Sequence, residues 1–465
     1  METRTLTFAA AACAGTIRQG PATASFQAVS TDSRTAKAGD LFFAIKGDTF
    51  DGHHFLPEVA AKGVAGVVVE NNRLADFAST IPATVTVLAV VDVRQAYGQI
   101  AAAYRQQFQL PIIVVGGSNG KTTTKELLAS VLRQKFSTLW SEASFNNDIG
   151  VPTTLLRLET AHQAAVLEAG TNHPGELAPL VKLIAPQFGV ITNIGREHLE
   201  FFGTVAGVAQ EEGALAELLP ADGKLFLNGD NEWSEKIAAR TQAKIIRVGF
   251  GEKNDWRAGK VRLDKNGVTF QVAAPKTELS GEYRVNLLGR HQAVNALLAA
   301  AVSAELGLNR AEIQRGLAEC LPAKMRLNFW EAGGVRVLDD CYNANADSTI
   351  AALETLCGLP LQGRRVAVLG DMNELGEHSA AAHAEVGKRA AELQVGQLVA
   401  VGKMAAVTAA AARAAGLTRI FEFGEVEGAA RAAKNFLRAG DVVLLKASRG
   451  VRLERMAETL KLWKG

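Results

Sequence analysis

The stretch from residue 110 to residue 133 constrains this chain more than any other. Leu110-Pro111-Ile112-Ile113-Val114-Val115 is an unbroken apolar run, which suits a strand buried on both faces of a parallel sheet. Gly116-Gly117-Ser118-Asn119-Gly120-Lys121-Thr122-Thr123-Thr124-Lys125-Glu126 follows directly, and residues 127–133 read as helix. Strand, glycine turn and helix in this order let backbone N–H groups curl around phosphate oxygens, while the helix N-terminus adds a favourable dipole. The spacing is G-x-x-G-K-T. The commoner G-x-x-x-x-G-K-[ST] form would need glycine at 115, where this chain has Val115. Gly117, Ser118, Asn119, Gly120 and Thr123 are therefore expected to line a nucleotide's phosphates. Lys121 is expected to reach the β and γ oxygens, and the Thr122 hydroxyl to face Mg²⁺. The plainer alternative, a glycine turn with an incidental lysine, does not explain the placement at a strand-to-helix junction.

At 465 residues the chain has room for about three domains. Residues 1–107 carry short strand patterns at 41–45 and 67–70 and a helical pattern at 93–107. Residues 108–321 open with the phosphate loop and continue with buried-strand patterns at 164–168 and 188–192. In residues 322–465, strand patterns recur at 335–339, 365–369, 397–401 and 442–446, with an alanine-rich helical stretch at 404–415. Strands alternating with helices predict doubly wound, mostly parallel sheets, and so an α/β fold. Hydrophobic residues make up 48% and charged residues 21%, a globular composition. The formal charge of +2 provides no global basic field, so a nucleic-acid partner is not expected and phosphates must be met locally.

Cys13, Cys320, Cys341 and Cys357 are scattered without a C-x-x-C pair, which fits a reducing cytoplasm rather than a zinc site or disulfide framework. No apolar run approaches the ~20 residues needed to cross a bilayer. The segment 6–15 follows Arg4 and ends in small residues, so it reads either as a leader or, more simply, as the first strand and helix of the N-terminal domain.

From the shortened phosphate loop onward, the chain resembles the Mur ligases over nearly its whole length. Val29-Ser30-Thr31-Asp32-Ser33-Arg34, Gly39-Asp40-Leu41-Phe42-Phe43-Ala44-Ile45-Lys46-Gly47 and Asp51-Gly52-His53 resemble the UDP-binding N-terminal domain of that family. Phe145-Asn146-Asn147-Asp148-Ile149-Gly150-Val151-Pro152-Thr153 resembles the segment facing the muramoyl substrate. The resemblance thus implies Ser33, Arg34, Lys46, Asn146, Asn147 and Thr153 as UDP-substrate contacts. Leu167-Glu168-Ala169-Gly170 and Thr192-Asn193-Ile194-Gly195-Arg196-Glu197-His198-Leu199 look like metal-binding strand ends. Gly289-Arg290-His291-Gln292-Ala293-Val294-Asn295-Ala296 looks like a nucleotide contact, with His291 and Asn295 four apart. Asp339-Asp340-Cys341-Tyr342-Asn343-Ala344-Asn345, with the 146–147 Asn pair, resembles members that add D-alanyl-D-alanine; those adding a diamino acid usually carry Asp-Tyr-Ala-His there. Gly370-Asp371-Met372-Asn373-Glu374-Leu375-Gly376 and Leu445-Lys446-Ala447-Ser448-Arg449-Gly450 agree.

The resemblance implies a three-domain Mur ligase architecture: an N-terminal UDP-substrate domain at 1–107, a central P-loop ATPase domain at 108–321 and a Rossmann-like acceptor domain at 322–465. It implies an ATP-dependent, ADP-forming, cytoplasmic ligase, acting as a monomer with Mg²⁺, that joins D-alanyl-D-alanine to UDP-N-acetylmuramoyl-tripeptide through an acyl phosphate. A family member adding a diamino acid, and a P-loop nucleotide switch with a protein partner, are the alternatives.

Moving a phosphoryl group onto a carboxylate brings two anions together, so the site must supply positive charge and hold the reacting oxygens in line. Lys121 and Mg²⁺ fit that need. Glu168 closes an apolar strand at the edge where parallel sheets face their ligands, and with Thr122 it is the first expected metal ligand. His198 resembles the histidine that helps hold a second metal, although nitrogen is an unusual partner for Mg²⁺. About a dozen residues later the family usually has a carbamylated lysine. Here Val208-Ala209-Gln210-Glu211-Glu212-Gly213 puts Glu212 at its place. Either Glu212 (or Glu211) replaces the carbamate, or both glutamates solvate a helix face. Arg326 looks like the arginine that brings the last domain onto the phosphates. Asp340 is expected at ATP, and Tyr342, Asn343 and Asn345 at the acceptor. Ala346 stands where proline is common, which leaves that loop's rigidity open. Lys446, Ser448 and Arg449 either hold the dipeptide carboxylate or form a solvated basic turn.

Overall fold

In the computed structural model, which describes residues 1–77 and 79–463, the apolar run after Pro111 is the strand Ile112–Gly116 with every residue buried. The chain divides into two units. The first comprises Met1–Val114, Phe136–Gly170 and Ala178–Pro186; the second comprises Val115–Lys135, Thr171–Leu177 and the chain from 187 onward.

The first unit opens with the strand Arg4–Thr5 and the helix Leu6–Ala12, capped by the Thr5 hydroxyl, so this segment is a strand and helix. A five-stranded sheet follows in the order Thr16–Gln19, Thr86–Val90, Gly66–Glu70, Leu41–Phe43, Val29–Ser30. Only the first pair is antiparallel. The helix Val93–Arg105 starts where the Asp92 carboxylate accepts the Gln95 N–H at 2.8 Å. It buries Ala96, Tyr97, Ile100, Ala101 and Tyr104, one stripe of a 3.6-residue repeat. Its last residue, Arg105, turns inward, and the guanidinium donates to the carbonyls of Ile184, Phe108 and Ala185 at 2.9, 3.0 and 3.1 Å. Later in this unit Ala164–Glu168 lies parallel to Thr138–Trp140, which leaves Glu168 at a strand's carboxyl end.

In the second unit Phe188–Ile191, Lys224–Asn228, Lys244–Gly249 and Trp256–Asp264 pair in parallel, and Gly267–Ala273 and Gly281–Val285 extend the sheet antiparallel. The strands between residues 224 and 285 carry no long continuous apolar run. Trp256–Asp264 alternates buried and exposed residues along its first half, which hides it from a search for fully buried strands. The phosphate-loop helix runs Lys121–Leu132, starting six residues before the apolar stretch at 127. It packs on Gln292–Glu305 and Arg310–Glu319. There Ser130 donates to the Gly316 carbonyl at 2.6 Å, and a Cβ on Gly316 would come within 2.3 Å of the Val131 backbone.

The remainder of the second unit is a six-stranded sheet in the order Asn328–Ala332, Val335–Asp340, Val442–Lys446, Arg365–Gly370, Gln397–Val401, Ile420–Phe423. All neighbours are parallel except the first pair. Side chains alternate between two cores. Leu338, Ala367, Leu369, Leu398 and Leu444 pack with Leu353, Leu356 and Val386 on one face. Val337, Val366, Val368, Val399 and Val443 pack with Ala429, Phe436 and Met456 on the other. A strand covered on both faces is apolar along most of its length, and the sequence patterns in this region have that property, with polar residues mostly at their ends. Together these elements form the predicted α/β fold, with a Rossmann-like sheet after residue 322.

Candidate active site

The phosphate loop is shaped by two glycines. Gly117 (φ 107°) and Gly120 (φ 87°) lie in the left-handed region. A Cβ on Gly117 would meet the Thr192 hydroxyl at 2.5 Å, and one on Gly120 would meet the Asn295 amide oxygen at 2.8 Å. The loop is tied to the end of the Phe188–Ile191 strand. Ser118 N–H donates to the Asn193 carbonyl and Asn119 N–H to Asn193 Oδ1, both at 2.8 Å. Gly195 N–H donates to the Ser118 hydroxyl at 2.9 Å. Lys121 Nζ donates to the Gly117 carbonyl, to the Ser118 carbonyl at 3.3 Å and to Glu197 Oε2 at 3.2 Å. Arg326 donates to the Thr122 hydroxyl at 3.1 Å, and its guanidinium stacks 4.3 Å from the Tyr342 ring centroid. Thr123, Glu126, Gln292, Leu288, Asn328 and Arg326 border a cavity of about 620 Å³ beside this loop.

His291 immediately precedes the helix Gln292–Glu305 and pairs with the Gln292 side chain at 3.1 Å; burial lowers its pKa. Asn295, buried, faces Gly120 and donates to Gln292 Oε1 at 2.9 Å. His291 and Asn295, four apart, sit at the start of this helix, His291 as its N-cap and Asn295 in its first turn. Asp340 accepts from Lys446 Nζ at 2.6 Å and from Leu327 N–H at 3.2 Å, and Lys446 also donates to the Asn343 carbonyl at 3.0 Å. Lys446 is 3% exposed and Ser448 is buried, so a solvated basic turn does not describe this strand end. Arg449 is exposed, 3.4 Å from Glu454. Asn343 Oδ1 accepts the Ala344 N–H at 2.9 Å. Asn345 caps the helix Ala346–Gly358 in a capping box with Ser348 and donates to Asn119 Oδ1 at 3.0 Å. That box fixes the loop's exit without a proline at 346.

His198 takes a left-handed conformation (φ 48°), with Nδ1 2.5 Å from Glu374 Oε2 and Nε2 3.9 Å from Glu197 Oε2. The bond from His198 holds the Glu374 carboxyl below its usual pKa. Glu212 is fully buried. Its Oε2 accepts the Gly117 N–H at 2.6 Å, its Oε1 has no hydrogen-bond partner, and burial pushes its carboxyl up to about 7. Glu211 accepts from Gly175 and Leu177 N–H groups at 2.8 Å. Neither glutamate solvates a helix face, which corrects that alternative: each accepts from backbone N–H groups, and Glu212 keeps one buried oxygen without a hydrogen-bond partner. Among the described residues, no three His, Cys, Asp or Glu side chains form a group able to hold a metal.

In the first unit, Glu168 is 1% exposed. Asn146 Nδ2 donates to its Oε1 at 2.8 Å, while its Oε2 is buried without a hydrogen-bond partner. Asn147 accepts the N–H groups of Ile149 and Gly150, and Thr153 lies 2.8 Å from the Tyr97 hydroxyl. Ser33 is buried and its carbonyl accepts from Lys62. Arg34 is exposed and grips Asp32, whose pKa falls to about 2 through those bonds. Lys46 forms an isolated bridge with Asp51. Sequence reasoning passed over Glu197, Glu374 and Asp347. The signal for Glu197 was a carboxylate directly before the assigned His198, whereas the other two depend on contacts more than 140 residues away in sequence.

A phosphate loop at a strand's carboxyl end, followed by a second doubly wound sheet, defines a P-loop nucleotide-binding α/β protein. The chain belongs to the Mur ligase family: the family model described as "Mur ligase family, catalytic domain" matches residues 25–105, "Mur ligase middle domain" matches 115–303, and "Mur ligase, glutamate ligase domain" matches 325–449. The chain is 38% identical over 382 residues to the UDP-N-acetylmuramoyl-tripeptide--D-alanyl-D-alanine ligase of Escherichia coli (strain K12), covering 81% of each chain. It is 33% identical to the protein of the same name from Haemophilus influenzae, covering 93% of each. Among solved structures it is similar to MurF from Acinetobacter baumannii (TM-score 0.90, 33% identity, 99% of each chain). It is also similar to MurF ligase from Thermotoga maritima in complex with ADP (TM-score 0.81, 25% identity, 93% and 96%). The three-domain Mur ligase architecture expected from the sequence is the one these likenesses share.

Proposed function

We propose that this chain is an ATP-dependent, ADP-forming ligase that joins D-alanyl-D-alanine to UDP-N-acetylmuramoyl-tripeptide in peptidoglycan precursor synthesis. The observation that carries this reading is one continuous set of contacts. The phosphate loop meets Arg326 through Thr122 and Asn345 through Asn119, so an ATP-binding loop and a loop of acceptor type share one site. Relatives at 38% and 33% identity carry the matching name.

Lys121 and Arg326 supply positive charge where the γ-phosphoryl group moves to the tripeptide carboxylate, forming an acyl phosphate. The dipeptide's amine nitrogen then attacks the acyl carbon, the C–O bond to phosphate breaks, and phosphate leaves as the nitrogen loses a proton. The buried, unpartnered Oε2 of Glu168 is a hard anionic oxygen of the kind Mg²⁺ takes, and Glu168 is assigned to the metal on that ground. The Thr122 hydroxyl is assigned to the metal from its place in the phosphate loop. When bound, Mg²⁺ neutralises phosphate charge and polarises the transferred group. His198 is assigned to hold a second metal, with Glu212 in the place of the family's carbamylated lysine. Asp340, His291 and Asn295 are assigned to ATP. Tyr342, Asn343, Asn345, Lys446, Ser448 and Arg449 are assigned to the dipeptide; Ser33, Arg34, Lys46, Asn146, Asn147 and Thr153 to the UDP substrate. Boundaries at 107/108 and 321/322 are supported by family matches that fall wholly within the three resulting segments. No described helix is long and apolar enough to cross a membrane. Four free cysteines favour a cytoplasmic location, and the chain is assigned as a monomer.

The test is phosphate release by purified protein with ATP, Mg²⁺ and UDP-muramoyl-tripeptide, with and without D-alanyl-D-alanine. Release requiring the dipeptide, with a product heavier by one dipeptide less water, supports the reading. Release with a single amino acid instead moves the assignment to a family member of other specificity.

A further inference from the structure

Arg196, Glu197 and His198 leave one strand end in three directions. Glu197 meets the phosphate-loop Lys121, His198 meets Glu374, and Arg196 meets the helix Ala346–Gly358. The Arg196 contact is a fork. Asp347 Oδ2 accepts the Arg196 backbone N–H at 2.8 Å, and Oδ1 accepts Nε at 2.9 Å and Nη2 at 2.6 Å. The other edge of the guanidinium donates to Glu385 on the helix Ser379–Glu392. The approach is close enough that a Cβ on Gly195 would lie 2.7 Å from Asp347 Oδ2. Asp347 sits in the first turn of its helix, where a carboxylate is favoured by the helix dipole. Two residues earlier, Asn345 donates to Asn119 of the phosphate loop, and Asn119 N–H is anchored on Asn193 from the other side.

We propose that Arg196 is a positioning residue: it clasps Asp347 and Glu385 so that the acceptor helix and its cap Asn345 stay in register with the phosphate loop while the amine attacks. This rests on the ligase reading above. The Asn345–Asn119 bond ties this helix start to the loop directly, the fork ties it to the chain segment on which the loop is anchored, and a displacement of about an ångström at a reacting centre is costly in rate. Arg196 and Asp347 are each about one-third exposed, so the pair adds little to folding stability, and its value is geometric. An arginine fork fixes orientation in a way a single ammonium cannot.

The experiment compares Arg196→Ala, Arg196→Lys and Asp347→Asn in two assays. One measures amide formation as a function of D-alanyl-D-alanine. The other omits the dipeptide and traps the acyl phosphate with hydroxylamine, which displaces phosphate to give a hydroxamate. For Arg196→Ala, kcat/KM for the dipeptide is expected to fall roughly tenfold or more, with hydroxamate yield within about twofold of the unmodified chain and Tm nearly unchanged. Arg196→Lys should recover part of the loss, and Arg196→Ala with Asp347→Asn should lose no more than Arg196→Ala alone. Unchanged dipeptide kcat/KM in Arg196→Ala, or hydroxamate falling in parallel with amide, overturns the clasp. If the unmodified chain makes amide only with another amine, the ligase reading is what fails, and the same ratios measured with that amine still decide the clasp.

Discussion

Lys121 shows how a single side chain is prepared before any phosphate reaches it. Two carbonyls of its own loop and the Glu197 carboxylate hold its ammonium at the helix start, so its charge is aimed rather than free to swing. Replacing it by alanine should reduce ATP-dependent phosphate release by about a hundredfold or more, as loss of a preorganised charge does. Glu212 acts from behind the loop. Glu212→Ala leaves the buried Gly117 N–H without its acceptor, which should cost about 1–3 kcal/mol of stability in urea unfolding, together with activity that added bicarbonate does not restore. Glu212→Gln keeps an oxygen for that N–H and should unfold at a midpoint closer to the unmodified chain. A pH effect follows from the same carboxyl, which burial raises from 4.5 to about 7. Between those values the folded chain keeps a proton that the unfolded chain releases. Its contribution to stability is therefore full below pH 4.5 and shrinks as pH rises toward 7. Urea midpoints of the unmodified chain should fall relative to Glu212→Gln over that window, and parallel profiles would reject the assignment.

At the scale of elements, helix starts and helix contacts carry the site. Asn345 both caps Ala346–Gly358 and reaches Asn119, so Asn345→Ala should cost about 1 kcal/mol as a lost cap. It should also reduce turnover more than a cap elsewhere would, for example at Asn309, which caps Arg310–Glu319 by the same box. In the last sheet's outer layer, Gly387 lets Ser379–Glu392 lie against Ala405–Ala414, since a Cβ there would come within 2.1 Å of the Thr408 carbonyl oxygen. Gly387→Ala should destabilise by roughly 1–3 kcal/mol, the usual cost of overpacking, read as a lower urea midpoint with KM for ATP unchanged.

For the molecule as a whole, nucleotide binding should register as stability, because a ligand that binds only the folded chain raises its free energy of unfolding. At a hundred times Kd, ATP with Mg²⁺ should add about 2.7 kcal/mol, seen as a rise in Tm that Lys121→Ala largely removes. The large-scale organisation was legible where strands are covered on both faces. The runs at 112–116, 164–168, 397–401 and 442–446 are buried at every residue and almost wholly apolar, the pattern of strands covered on both faces. The five strands between 224 and 285 were not legible, because alternating or short patterns take their meaning from neighbours distant in sequence.

By itself, the sequence determined the α/β class, the phosphate loop and its lysine, and the motifs through which the chain resembles the Mur ligases. These are local properties: two glycines free to take positive φ, a lysine one residue after a turn, and apolar runs of strand length. Only the tertiary structure decided what Glu212 touches, that Lys446 is a buried partner of Asp340, and that Arg196, Glu197 and His198 each face a different element. A charged residue in a sequence carries no record of its partner. The partner is chosen when folding removes both from water and leaves each needing a counter-charge or a hydrogen bond.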